Sequence, residues 1–251
     1  MRLLVSVRNP DEVEAALTGG ADIIDAKEPA RGPLGPVAHD VLRAIDDRVP
    51  PGVPLSIALG DDLSAESVGA AIAELPIRRR AEVYVKVGFP SPVPAAEFRT
   101  LLSMAASAAA RHRTAPRLVA VVYADRNRDP SGLARIPREV HTAGAAALLV
   151  DTADKDGRSL LDWWPEQTLR DWLQAGRHAG LELAIAGSLG PGELIVVRAL
   201  APDIIGVRGA ACLGGRTGSV DATRVRSLRA ALLLPPLAIA ANHQTEGRSS
   251  P

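Results

Sequence analysis

Two apolar rhythms alternate along the chain. Short runs of mostly apolar residues, rich in Val, Ile and Leu, fall at 3–7, 22–26, 54–59, 82–87, 117–123, 145–150, 183–186 and 203–207. Runs apolar at nearly every position, and too short for a helix, describe strands covered on both faces, as in a parallel sheet. Between them, apolar residues recur at helical spacing over 12–17, 38–46, 64–75, 94–113, 136–143, 165–180, 193–200 and 220–234. Several of these stretches open on Pro, Ser or Asp and close on Gly. Eight strand–helix units with short connections and no internal linker predict a single α/β domain, a (β/α)8 TIM barrel over residues 1–234. A doubly wound open sheet is the alternative. The first strand, however, leads into Arg8-Asn9-Pro10 and not into a glycine-rich dinucleotide fingerprint. Residues 235–251 turn small and polar and are expected to form a disordered tail.

Composition narrows the function classes. Apolar residues make up 47% of the chain, enough for a large core, and only 3% are aromatic, which suits the small branched side chains of packed α/β layers. Lys and Arg equal Asp and Glu at 29 each, so nothing favours nucleic acid or an anionic membrane as partner. Cys212 is the sole cysteine, which excludes an intrachain disulfide. It is expected to be a small buried thiol. The histidines show no metal-ligand spacing, and each is expected to be a satisfied or surface side chain. The first residues read as a strand, not a signal peptide, and no run is long enough to span a bilayer, which predicts a cytoplasmic protein. A homo-oligomer is compatible with the sequence but is not specified by it.

In a barrel the carboxyl ends of all strands open on one face, where chemistry sits. The polar residues there are Asp25 and Lys27, Asp61, Lys86, Asp125, and Asp151 with Lys155, followed by Ser188 and Arg208. A lysine at the mouth of a buried strand has an apolar floor beneath it. Desolvation then favours the neutral amine, which can attack a carbonyl to give a Schiff base. A second lysine lowers its pKa further, and carboxylates such as Asp25 can shuttle protons. The dull reading of each residue is the solvated start of a loop. After the seventh and eighth strands, Gly187-Ser188 and Arg208-Gly209 offer backbone N–H groups, and a guanidinium fork, to a phosphate. Asp61 is placed with these as a substrate-binding residue. Bland readings suffice elsewhere. Arg78-Arg79-Arg80 is expected to be a solvated turn, Trp163-Trp164 to pack a helix start, and residues 125–130 to form a polar loop, with a lid over the barrel mouth as the alternative.

Taken together, the stretches LLVSV, GGADIIDAKEP with GPLG, ALGD, YVKVG, YAD, LLVDTADKDGRSLLDW, AIAGSL and DIIGVRGAAC resemble the (5-formylfuran-3-yl)methyl phosphate synthase family. This is the furan-forming enzyme of methanofuran-type cofactor biosynthesis. GGADIIDAKEP and DTADKDG are its specific marks; AGS and VRGAA fit many phosphate-binding barrels. The resemblance implies a class I aldolase-like lyase without metal or cofactor. It would condense two glyceraldehyde 3-phosphate molecules, losing phosphate and water. Lys27 matches the Schiff-base lysine and Lys86 a proton acceptor that isomerises one triose phosphate to dihydroxyacetone phosphate. Asp151 and Lys155 match polar active-site residues. The implied order has the isomerised triose form the imine and add to the second aldehyde. The arginine- and alanine-rich helices, the tail and the loop after YAD depart from the pattern. Two other readings are a class I aldolase or isomerase of another triose phosphate, and a non-catalytic sugar-phosphate sensor.

Overall fold

A computed structural model gives the fold and describes residues 1–61, 63–78, 80–89, 95–127 and 134–233. Eight parallel strands close into a barrel in sequence order: β1 Arg2–Val7, β2 Ile23–Ala26, β3 Leu55–Ala58, β4 Val83–Phe89, β5 Arg117–Tyr123, β6 Ala147–Asp151, β7 Glu182–Ile185 and β8 Ile204–Val207. The outer layer comprises α1 Asp11–Thr18, α2 His39–Arg48, α3 Ala65–Ala73, α4 Ala95–Arg111, α5 Ile136–Thr142, α6 Glu166–His178, α7 Pro191–Ala199 and α8 Ala222–Leu233. The expected barrel is thus the observed one. The expected tail at 235–251 lies outside the described residues, as do Asp62, Arg79 and most of the loop after Asp125.

Two separate apolar layers explain why these strands read as continuous apolar runs. Outward residues such as Leu3, Val5, Ile24, Val85 and Leu148 pack against the helices. Inward residues, among them Ile23, Tyr84, Val121, Leu149 and Ile204, fill the barrel. On the β6–β8 side several inward positions are small, with Ala147, Ala184, Ala186 and Gly206, so the interior stays open there.

Register sets the height of each polar side chain. Asp25 pairs with Ser6 on one side and Ser56 on the other, and Ser56 pairs with Tyr84. These four inward residues form one level. A strand repeats every second residue, so Lys27 stands one level above Asp25, and Lys86, paired with Ala58, one level above Tyr84.

Several local expectations are corrected. Residues 220–221 do not begin the last helix: Ser219–Val220 forms β10, paired antiparallel with β9 Cys212–Leu213, making a hairpin after β8. Two-residue strands carry no readable period. Nor is Arg80, before β4, part of a solvated turn, although Arg78 is largely exposed. The Arg80 side chain is 2% exposed and pairs with the buried Asp46 carboxylate, which also accepts from the Arg78 N–H at 2.7 Å. The partner lies on α2, more than thirty residues away, beyond the reach of local pattern. Trp164 does pack the start of α6, edge-on to Trp172 at 5.9 Å, and Cys212 is buried. Among the described residues no helix is long and apolar enough to cross a membrane.

Candidate active site

A cavity of about 410 Å³ opens at the carboxyl ends of the strands. Lys27 enters it directly from β2, where its N–H donates to Val7 O at 3.0 Å and so prolongs the sheet. The following loop folds back through Glu28 N–H to Gly35 O at 2.8 Å. Gly35 is required there: a Cβ would stand 2.3 Å from Glu28 O. The Lys27 side chain is only 7% exposed, and its Nζ has neither a hydrogen bond nor an ion pair among the described residues. Burial is the main force pushing the amine down from 10.5 to about 8. Lys86 and Lys155 add to the fall, and Asp151 and Asp25 oppose it.

Two lysine–carboxylate pairs flank this amine. Lys86 Nζ lies 2.7 Å from Asp25 Oδ1, an ion pair without hydrogen-bond alignment, while the Ser6 hydroxyl donates to Asp25 Oδ2 at 2.8 Å. Burial alone would raise the Asp25 pKa, but Lys86 and Lys27 outweigh it and hold the carboxyl below its usual range. Lys155 Nζ donates to Asp151 Oδ1 at 2.9 Å, Thr152 O at 2.6 Å and Thr152 Oγ1 at 3.0 Å. Asp151 is likewise buried, yet Lys155 and Lys27 bring it down to about 2. Its loop is anchored from β5, because the buried Asp125 carboxylate accepts from the N–H groups of Ala153 and Asp154 at 2.9 and 2.8 Å.

Gly187, Ser188 and Gly209 line the opposite wall. Gly187 has φ +111° and Ser188 φ +52°, a left-handed geometry that costs Ser188 energy. Among the described residues no acceptor takes the N–H of Ser188 or Leu189. Of the residues expected at the site, Asp25, Lys27, Lys86, Asp151, Lys155, Gly187, Ser188, Arg208 and Gly209 all line the cavity.

Two of the expected residues are engaged by the fold itself. Asp61 is not in the wall: it accepts from the Tyr123 hydroxyl and from Leu34 N at 3.3 Å, tying the loop after β2 to β5. Gly88 makes room for this, since a Cβ there would meet Asp61 Oδ1 at 1.9 Å. Arg208 reaches the wall but its five N–H donors are spent. They go to Glu12 Oε2 at 2.5 Å and Oε1 at 3.0 Å, and to the carbonyls of Ser6, Arg216 and Gly218 at 2.9, 3.0 and 2.7 Å. No forked phosphate contact is left to it. The sequence reading missed Arg216, which lines the cavity from the β9–β10 hairpin, and Ser56, whose buried hydroxyl has no partner among the described residues. For Ser56 the period-two step from β3 was the available signal; for Arg216 there was none.

The 4-HFC-P synthase family model matches residues 3–229, and with them every charged residue lining the cavity. This chain belongs to the 4-HFC-P synthase family. A relative named (5-formylfuran-3-yl)methyl phosphate synthase from Methanopyrus kandleri is 36% identical, over 92% of this chain and 98% of its own. One of the same name from Methanothermobacter thermautotrophicus is 33% identical, over 91% and 98%. Among solved structures, 3-hexulose-6-phosphate synthase from Salmonella typhimurium superposes with a TM-score of 0.62 at 18% identity, covering 93% of this chain and 99% of its own. Phosphoribosyl anthranilate isomerase from Thermus thermophilus gives 0.61, also at 18%, covering 92% and 98%. At that identity these two speak for the 4-HFC-P synthase fold alone. Among the described residues no group of three or more His, Cys, Asp or Glu side chains is disposed to hold a metal.

Proposed function

We propose that this 4-HFC-P synthase family member is a lyase that condenses two glyceraldehyde 3-phosphate molecules, through an imine on Lys27, into (5-formylfuran-3-yl)methyl phosphate. By atom balance one phosphate and two waters are released. The observation that carries the reading is the unpaired, desolvated Lys27 amine between two lysine–carboxylate pairs in a cavity of small-molecule size.

The carbon skeleton of that product changes the order of steps given by resemblance alone. The ring carbon bearing the phosphomethyl group is a branch point, so it is the former carbonyl carbon of dihydroxyacetone phosphate, acting as electrophile. The formyl carbon is the aldehyde carbon of the other triose, so the imine belongs on glyceraldehyde 3-phosphate. Neutral Lys27 adds to that aldehyde and water leaves. Loss of the C2 proton places electrons to expel phosphate from C3, and the resulting enol attacks the ketone carbon through C3. The ketone's hydroxymethyl oxygen closes the ring, two waters leave, and one water hydrolyses the imine. Lys86, paired with Asp25, is assigned the proton transfer that isomerises the second aldose to the ketose. Asp151, held ionised by Lys155 and Lys27, is assigned the stabilisation of the iminium. Ser188 and Leu189 N–H groups hold the phosphate that the product retains.

The test is incubation with glyceraldehyde 3-phosphate, following ultraviolet absorbance and released phosphate. A furan-aldehyde band should rise with phosphate and vanish in Lys27→Ala. An adduct trapped by borohydride on Lys27 with no band would instead mean an aldolase that stops before ring closure. Neither band nor adduct from folded protein would favour the sensor reading.

A further inference from the structure

The cations of the cavity can be matched to carboxylates one by one. Lys86 has Asp25, Lys155 has Asp151 and Arg208 has Glu12. Lys27 and Arg216 are left over, and Arg216 makes no ion pair within 4.0 Å among the described residues. The Lys27 amine is the group assigned to the carbonyl. Arg216 is therefore a half-buried guanidinium whose charge no carboxylate among the described residues balances directly.

Its donors show which way it is held and what remains. Nη1 donates to Pro29 O at 2.5 Å and Nη2 to Gly32 O at 2.6 Å, both in the loop that follows Lys27. The Nε–H and one N–H on each Nη have no acceptor among the described residues, so three of its five donors stay open. Its backbone crosses Gly209, where an added Cβ would lie 3.7 Å from Arg216 N. Burial also lowers the Arg216 pKa, and Asp151, which lines the same cavity, is the strongest opposing charge. Arg208, eight residues earlier, has the reverse character: fully paired and fully spent.

We infer that Arg216 is a second phosphate-binding centre, which takes the phosphate monoester of the triose held on Lys27. This rests on the reading above, in which two phosphates enter and one leaves. The N–H groups at Ser188 and Leu189 serve one phosphate, and Arg216 serves the other. A planar fork with open donors suits phosphate better than an ammonium would. Because two of its N–H groups hold the Pro29 and Gly32 carbonyls, the same side chain fixes the loop that aims Lys27.

The experiment compares wild type with Arg216→Met, which keeps the stem, and Arg216→Lys, which keeps the charge. Calorimetric titration with inorganic phosphate should resolve two classes of site in wild type and one in Arg216→Met. Borohydride trapping on Lys27 should need at least tenfold more glyceraldehyde 3-phosphate for half-saturation in Arg216→Met, with a several-fold smaller loss for unphosphorylated glyceraldehyde, the share due to the loosened loop. Arg216→Lys should fall between. Unchanged phosphate binding in Arg216→Met would overturn the inference, and so would an equal loss for both aldehydes, which would mark a loop brace only. If wild type traps neither aldehyde, the Lys27 reading fails, and the phosphate titration still decides Arg216.

Discussion

A lysine buried without a partner weakens the fold that contains it. Lys27 titrates near 8 in the folded protein against 10.5 in the open chain. The unfolded chain therefore binds more protons between those values, so stability should rise with pH from about 8 to 10.5 and carry the full cost below 8. A shift of this size corresponds to about 3 kcal/mol. Lys27→Met should accordingly stabilise the protein at pH 7 by about 1–3 kcal/mol and flatten the slope from pH 8 to 10.5, as read by urea denaturation at pH 7 and pH 10. A less stable Lys27→Met at pH 7 would show that the amine is not strained by burial. On the proposed mechanism the same shift serves imine formation. Roughly a tenth of the amine is neutral at pH 7, against under a thousandth for an ordinary lysine. The rate of imine trapping should climb with pH and level off above about 8.

At the scale of elements, the loops are positioned by carboxylates one strand away. Asp125, at the end of β5, accepts two N–H groups of the loop after β6 and thereby sets where Lys155 meets Asp151. Asp125→Asn turns one acceptor into a donor facing an N–H. It should cost about 1–3 kcal/mol of stability and lower kcat for furan formation more than it lowers Lys27 trapping. Equal losses in both would remove the argument that this carboxylate acts through the Lys155 loop. Such dependencies mark the limit of what the sequence discloses. Strands such as β5 and β6 were legible because burial on both faces leaves an uninterrupted apolar run. Lys27, Lys86 and Asp151 were legible because each ends or interrupts one of those runs, and barrel topology then forces convergence. The spent state of Arg208 was not, since Glu12 lies 196 positions away on α1. Asp61 looked like a rim carboxylate until Tyr123 claimed it, and only packing reports that. Arg216 sits in a glycine-rich loop between two strands too short to announce themselves.

Across the whole molecule, charge is arranged oppositely at the two ends of the barrel. At the carboxyl end two cavity cations have no carboxylate partner among the described residues, whereas at the amino end Arg2 and Arg117 are matched by Glu82 and Glu182. Tyr84 stands between the two ends. Its ring lines the cavity floor with both guanidinium groups over it at 5.7 and 5.3 Å, and its hydroxyl donates to Glu82 at 2.6 Å. Burial and Glu82 keep that phenol protonated by raising its pKa. Such a plug seals the end that does no chemistry, which is where a barrel places its stability. Glu182→Gln removes one of the two charges opposing the arginines. Because Glu182 is largely buried, it should destabilise the protein by about 1–3 kcal/mol. The cavity mouth is a barrel length away, so KM for glyceraldehyde 3-phosphate should stay within twofold of wild type at a temperature where both proteins are folded. Thermal unfolding and steady-state assays on one preparation decide it. Lower stability with intact KM separates the two ends. A KM that rises while stability holds would instead show that the plug sets the cavity floor through Tyr84, and that the amino end belongs to the binding site.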